Sequence, residues 1–271
     1  MSKICIISGS GKLPLVIGKK LSQLGNNIYY LCINNFAKEN HYKNFNYKFL
    51  NLEKVSNILN YLNKNQINKI IMAGHVKRPS LKELKFDLKT LKFIKQYALQ
   101  PKGDDKLLLS IVNFFEKEGF NFINWKDKCK KLFVNNNFIT KSKPNKISIN
   151  NLDKGLKIFK KIGRIDLSQS LVIQNSMILG IEAAEGTDEL IRRCFKYKRK
   201  GDKGIVIKLS KYNQDTRFDV PVIGLNTVKL LKKYNYEGIF LEINKCIIID
   251  KKQVIDFANK NNIFISGTKK N

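Results

Sequence analysis

Lys3-Ile-Cys-Ile-Ile-Ser8, followed at once by Gly9-Ser-Gly-Lys-Leu-Pro14, reads as a buried strand running into a glycine loop. An apolar-periodic helix follows, to about residue 24. Gly25-Asn-Asn is a turn into a second strand over 28–33. Residues 55–62 read as a helix and 67–73 as a third strand ending at Gly74-His-Val-Lys-Arg-Pro79. Strand–helix–strand repetition with continuous apolar strands predicts a Rossmann-like parallel sheet with helices on both faces. Helices over 81–98 and 104–118 and a short strand over 120–124 extend this first half.

Residues 126–150 are rich in lysine and asparagine with weak periodicity, which places a boundary there. The expected division is a Rossmann-like domain over 1–130, a linker over 131–150, and a mixed α/β domain over 151–271. In the second half a helix is expected over 152–162 and strands over 170–174 and 177–182, the two flanking Asn175-Ser176 as a hairpin. A strand over 204–209 follows. Strands over 238–243 and 246–250 suggest a second hairpin about Asn244-Lys245, and a helix over 252–259 and a strand over 263–266 close the chain. No internal repeat is evident.

The chain of 271 residues is 43% hydrophobic, enough for a proper core and room for two modest domains. Its formal net charge is +29, yet 45 of its 51 basic residues are lysine (51 less six arginines), scattered through the whole length. A nucleic-acid binder concentrates its basic residues on a face or arm interleaved with aromatics, so nucleic acid is not the expected partner. Four of the six arginines, Arg78, Arg192, Arg193 and Arg217, lie inside the motifs discussed below. Five cysteines without a C-x-x-C pair argue for reduced thiols and against a zinc ribbon. Two histidines, His41 and His75, leave little material for a histidine-based triad. No apolar run approaches the ~18 residues that span a bilayer, and the N-terminus lacks a signal-peptide pattern. A cytoplasmic protein is expected.

Against this basic background, Glu182-Ala-Ala-Glu-Gly-Thr-Asp-Glu-Leu-Ile-Arg-Arg193 and Asn213-Gln-Asp-Thr-Arg-Phe-Asp-Val-Pro-Val-Ile-Gly224 stand out. Residues 166–219 hold eight of the 22 acids: Asp166, Glu182, Glu185, Asp188, Glu189, Asp202, Asp215 and Asp219. Carboxylates beside arginine, glycine and threonine suit a divalent cation bridging to phosphate oxygens. A helix N-terminus accounts equally well for residues 185–189, with acids favoured by the helix dipole. It accounts poorly for Asp215-Thr-Arg-Phe-Asp219, because no long apolar-periodic helix is read after Pro221. The loop Gly9-Ser-Gly-Lys-Leu-Pro14 matches neither a Walker A nor the dinucleotide fingerprint, whose third glycine is replaced by Pro14. It is a strand-to-helix turn or a nucleotide-facing loop. Lys77 and Arg78 follow a strand end where ligands of open parallel sheets bind. Asp104 and Asp105 suit helix capping, and Glu182 and Glu242 each end an apolar strand.

Together these strings resemble the bacterial UDP-2,3-diacylglucosamine pyrophosphatases of lipid A synthesis, the metal-dependent type that lacks the calcineurin-like phosphoesterase fold. The strings are Ile7-Ser-Gly-Ser-Gly-Lys-Leu-Pro14, Ala73-Gly-His-Val-Lys-Arg-Pro79, Gly103-Asp-Asp105, Ile181-Glu-Ala-Ala-Glu-Gly-Thr-Asp188 and Gln214-Asp-Thr-Arg-Phe-Asp-Val-Pro221. Gly224, Thr227 and Gly238-Ile-Phe-Leu-Glu242 extend the match. Ser168, where the family usually has glycine, and Tyr212-Asn213, in place of a proline-containing turn, depart from it.

The resemblance implies hydrolysis of UDP-2,3-diacylglucosamine to UMP and 2,3-diacylglucosamine 1-phosphate with Mg2+ or Mn2+. Asp188 and Asp215 lead as metal-binding or water-orienting carboxylates, with Asp219 as a further catalytic acid and Glu185 as a further metal ligand. Lys77, Arg78, Arg192, Lys208 and Arg217 are phosphate clamps. Ser8, Gly9, Gly11, Gln169, Gly186, Thr187 and Gln214 complete the substrate-binding set. The diacyl substrate implies transient contact with the inner face of the cytoplasmic membrane, through lysines or through residues 81–97, and a homodimer is one assembly the chain allows. The rival reading is a nucleotide-sugar or dinucleotide-binding oxidoreductase on the N-terminal sheet.

Overall fold

A computed structural model describes residues 1–51, 54–76, 104–162, 168–211, 217 and 220–270. The chain divides into two compact units, Met1–Cys129 with Asp215–Asp219, and Lys130–Gln214 with Val220–Asn271.

In the first unit, β1 (Lys3–Ser8), β2 (Asn27–Ile33), β3 (Asn46–Leu50), β4 (Lys69–Ala73) and β5 (Asn121–Phe122) form a parallel sheet in the order β3-β2-β1-β4-β5. Alternation along the strands assigns the two faces. Cys5, Ile7, Leu31, Ile33 and Ile70 meet Ile58, Leu59 and Leu62 of α2 (Val55–Lys64) and Val112 and Phe115 of α3 (Asp104–Lys117). Ile6 and Tyr30 face α1 (Leu13–Ser22) instead. There Gly18 lets the Tyr30 ring approach so closely that an added Cβ would lie 1.9 Å from its hydroxyl. Helices thus cover both faces, as expected. β3 is an addition to the expected strands: its Asn-Tyr-Lys-Phe-Leu pattern is that of a half-exposed edge, without the apolar run of a buried strand. The helix expected over 81–98 lies outside the described residues, as does most of the 213–219 string.

In the second unit, β6 (Ser170–Gln174), β7 (Met177–Ile181), β8 (Ile205–Lys208), β10 (Gly238–Glu242) and β12 (Phe264–Thr268) form a mixed sheet in the order β12-β10-β8-β6-β7. A parallel pair, β9 (Val222–Ile223) and β11 (Ile247–Ile248), stands apart. Leu171, Ile173, Ile205, Ile207, Phe240 and Phe264 bury one face against Leu152 and Phe159 of α4 (Lys146–Ile162). Val172, Val206, Ile239, Leu241 and Ile265 bury the other against α5 (Thr187–Phe195), α6 (Leu225–Lys233) and α7 (Lys251–Lys260). At roughly 1.5–3 kcal/mol for each large side chain buried, these two layers supply most of the unit's cohesion.

Two expectations are corrected here. Residues 131–150 are not a linker. Val134 is fully buried in the core and exchanges backbone hydrogen bonds with Asn244 and Cys246, residues 137–139 cover the β12 edge, and α4 begins at Lys146. Lysine-rich composition there reflects solvated faces of a packed segment. The hairpin about Asn244-Lys245 does not form, because both edges of β10 are already occupied by β8 and β12, and β11 pairs with β9. The helix that follows Pro221, α6, is only nine residues long, in keeping with the lack of a long apolar-periodic helix there and too short for its periodicity to stand out. The Asn175-Ser176 hairpin forms as expected, with both residues at positive φ (50° and 59°) as a two-residue turn demands.

Candidate functional site

The second unit brings charge and hydroxyl groups together at one end of its sheet. Ser170 and Lys208 are register partners across the antiparallel β6–β8 ladder, so their side chains share a face. Val172 and Val206, two residues inward, are on that same face and pack under α5. The Lys208 side chain therefore rises toward the first turn of α5. It is only 4% exposed. Its Nζ donates to Thr187 Oγ1 at 2.6 Å and to Ser170 Oγ at 3.2 Å, and Glu182 Oε2 is 3.7 Å away. The Thr187 hydroxyl lies 3.2 Å from both Glu182 oxygens. A buried ammonium is tolerated only when partnered, and this one has two neutral acceptors and a carboxylate beyond hydrogen-bond length.

α5 begins at Thr187 with Gly186 as its cap residue, at φ 82°, and a glycine has no side chain with which to cap the first amides. The amide end of the helix, with the positive pole of its dipole, thus lies beside a buried lysine. Each disfavours the other, and an anion brought between them would satisfy both. Gln169 adjoins the cluster: its carbonyl accepts from the Leu209 amide. At the next strand end, Glu242 Oε2 accepts from the amide and hydroxyl of Ser210, both at 2.7 Å, fixing the chain just before residues 212–216.

The acids of 185–189 have separate tasks. Asp188 accepts from Thr227 Oγ1 at 2.7 Å and from Asn226 Nδ2 at 2.5 Å, tying the first turn of α5 to that of α6. Glu185 is ion-paired to Arg193, whose guanidinium also caps the Ile181 carbonyl. Partial burial pushes the Glu185 carboxyl up. Its own amide, Arg193 and the Ala183 amide together outweigh that and hold it below its ordinary value. Arg192 pairs with Glu189 at 2.8 Å on the exposed side of α5. The helix-terminus reading of this string holds.

Mg2+ takes about six oxygen ligands in near-octahedral geometry. Of the acids expected to bind it, Glu185 is committed to Arg193 and Asp188 to two neutral donors, while Asp215 lies outside the described residues. Among the described residues no group of three acids, histidines or cysteines gathers around a metal-sized space, so the described donors alone do not fit the ion.

In the first unit the glycine loop is a strand-to-helix turn, one of the two readings its sequence allowed. The Gly9 amide donates to the Ala73 carbonyl at 2.9 Å, and Ser10 and His75 exchange backbone bonds at 2.8 and 3.1 Å. Ser8 is buried with its hydroxyl on the Ile6 carbonyl. Gly9 and Gly74 permit this contact: a Cβ on Gly9 would lie 2.6 Å from the His75 oxygen, and one on Gly74 2.7 Å from the Ser10 oxygen. Two of the loop amides, those of Gly9 and Ser10, are thus spent on backbone, and a dinucleotide is not favoured there. Gly11, at φ 91°, turns the chain into α1. Lys77, Arg78, Gln214, Asp215 and Asp219 are outside the described residues. Arg217, expected as a phosphate clamp, directs its guanidinium to Glu116 at 3.5 Å.

Sequence reasoning singled out Thr187, Lys208 and Glu182 but missed Ser170. Its role depends on strand register, which local sequence does not carry.

Two family domains match the chain: the LpxI N-terminal domain over residues 3–132 and the LpxI C-terminal domain over residues 135–266. The UDP-2,3-diacylglucosamine pyrophosphatase LpxI of Caulobacter vibrioides is 27% identical over 274 residues, covering 98% of each chain.

Proposed function

We propose that this chain, which belongs to the LpxI family and carries both of its domains in order, hydrolyses the diphosphate of UDP-2,3-diacylglucosamine to UMP and 2,3-diacylglucosamine 1-phosphate. Lys208 is the observation in the site that supports it most: a buried cation at a helix N-terminus whose cap residue is a glycine, held by two hydroxyls and incompletely neutralised by Glu182. Diphosphate cleavage needs charge stabilisation on non-bridging oxygens and a fixed leaving phosphate. Lys208, the Thr187 hydroxyl and the first amides of α5 supply donors for those oxygens. They are rigid because strand register and helix packing position them before substrate arrives, so little reorganisation is needed.

Asp215, with Asp219, is assigned to orienting the attacking water, since the chain has only two histidines to offer as a base and acids are concentrated in its 166–219 stretch. Mg2+ or Mn2+ belongs to the same proposal as a further source of charge neutralisation, with Asp215 as its candidate ligand. Full activity after exhaustive chelation would remove the cation from it, and recovery on adding Mg2+ would support it.

Among the described residues no helix is long and apolar enough to cross a membrane. The diacyl substrate and the +29 charge together favour transient, salt-sensitive contact with an anionic inner leaflet. The direct test is release of UMP by the purified protein from UDP-2,3-diacylglucosamine in mixed micelles with Mg2+. No release, with the protein folded, overturns the assignment.

A further inference from the structure

The first unit contains one short piece of chain from far along the sequence, Asp215–Asp219, and the described member of that piece is Arg217. Its backbone carbonyl accepts from the indole Nε1–H of Trp125 at 3.1 Å. Trp125 is the only tryptophan in the chain, and its ring is buried, with 1% of its surface exposed. It follows β5 by three residues, at the carboxyl edge of the parallel sheet, where open α/β sheets place their ligands. Its own carbonyl accepts from the Lys128 amide, which fixes the backbone as well as the ring. The ion pair of Arg217 with Glu116 on α3 adds direction but little energy, because side chains 33% and 40% exposed are well screened.

A buried indole offers a single donor along one direction, so a carbonyl bound to it is located in both distance and angle. Arg217 is two residues from Asp215 and two from Asp219.

We infer that Trp125 is a positioning residue for the Gln214–Asp219 string: its indole N–H fixes the main chain of that string at Arg217, and acts on hydrolysis through it. This rests on the assignment of Asp215 to the chemistry. Trp125 itself touches no reacting atom. Its loss therefore lowers kcat through misplacement and leaves substrate binding nearly unchanged, because small displacements of a catalytic group cost far more in rate than in affinity.

With one tryptophan in the chain, residue-wide replacement by β-(3-benzothienyl)alanine alters this site alone, keeping the ring's shape and substituting sulfur for N–H. The expected result is a fall in kcat of about tenfold, with KM changed by less than about twofold and an unchanged melting temperature. An unchanged kcat overturns the inference. Trp125→Phe separates packing from hydrogen bonding: a purely structural role would lower the melting temperature and leave kcat per folded molecule intact, which also overturns it.

A third measurement is independent of turnover. The single indole 15N–1H resonance of the wild-type chain should exchange slowly with solvent, and rapid exchange overturns the contact even if the enzyme proves active. Asp215→Asn tells the two failures apart. Near wild-type turnover in that variant overturns the assignment of Asp215 and with it the inference that rests on it, whereas an inactive Asp215→Asn beside an unaffected benzothienyl protein overturns the positioning alone.

Discussion

The glycine loop after β1 and the Lys208 cluster at the head of α5 are both strand ends facing a helix N-terminus, and they spend their polar groups in opposite ways. In the loop, the amides of Gly9 and Ser10 are consumed by the Ala73 and His75 carbonyls, and the glycines serve a backbone-to-backbone approach. In the cluster, a buried ammonium retains a carboxylate partner at 3.7 Å and stands at a helix N-terminus whose cap residue is a glycine. Glycines beside a phosphate-like turn therefore say less about a ligand than one lysine that the fold has paid to bury. The lesson is physical: a hydrogen-bonded backbone is satisfied, whereas an incompletely neutralised charge favours an anion.

The comparison breaks most readily at Lys208. Lys208→Met keeps length and apolar bulk but removes the charge, and turnover should fall at least about a hundredfold, near 3 kcal/mol of lost transition-state stabilisation. Thr187→Val should cost about tenfold, since it deletes one hydroxyl and leaves the ammonium in place. Steady-state release of UMP, with circular dichroism to confirm folding, measures both. Wild-type turnover in Lys208→Met would place phosphate recognition elsewhere. A variant of Glu182 should act in the opposite sense on affinity: Glu182→Gln leaves the cation less neutralised, so inorganic phosphate should inhibit more tightly than in the wild type.

How far this was legible in sequence follows the same division. The parallel sheet of the first unit was readable because Lys3–Ser8 and its partner strands are continuous apolar runs, buried on both faces. The half-buried edge β3 was missed because its lysine and asparagine alternate with aromatics. α6 was missed because nine residues hold too few turns for periodicity, and it starts with the Asn226 and Thr227 side chains that bind Asp188. Lys208 could be nominated from its place at the end of Ile205–Lys208. Its contact with Ser170, 38 residues away, depends on antiparallel register, which no local pattern encodes. Trp125 was silent in sequence for the same reason: its partner carbonyl lies 92 residues along the chain.

The glycine loop gives the next largest effect, on stability instead of rate. Gly9→Ala places a Cβ 2.6 Å from the His75 oxygen and 2.8 Å from Val76 Cγ2, and neither backbone can retreat without breaking the Ser10–His75 bridge. The expected cost is about 1–3 kcal/mol of stability, the usual price of forced overpacking. Thermal denaturation should show it, while kcat per folded molecule stays at the wild-type value. A variant that melts normally but loses substrate affinity would return the loop to the ligand site and erase the contrast with Lys208.

Glu185 sharpens the comparison at the smallest scale, because it stands within the acidic string yet is engaged by Arg193 instead of by the Lys208 cluster. Its carboxyl is held below the ordinary value of 4.5, so the folded protein binds that proton more weakly than the unfolded chain does. The resulting stability is fully present above the ordinary carboxylate range and is lost as pH falls through the depressed folded value. Glu185→Gln removes it at every pH. The melting temperatures of wild type and variant should therefore differ at neutral pH and converge as the solution is acidified past 4.5. The pair is partly exposed, with side chains 40% and 23% accessible, so the difference should correspond to less than about 1 kcal/mol. Turnover at saturating Mg2+ should change little. A gap that widens on acidification would refute the ion-pair account. A large loss of activity restored by raising the metal concentration would make Glu185 a metal ligand, with Arg193 yielding its place when the ion binds.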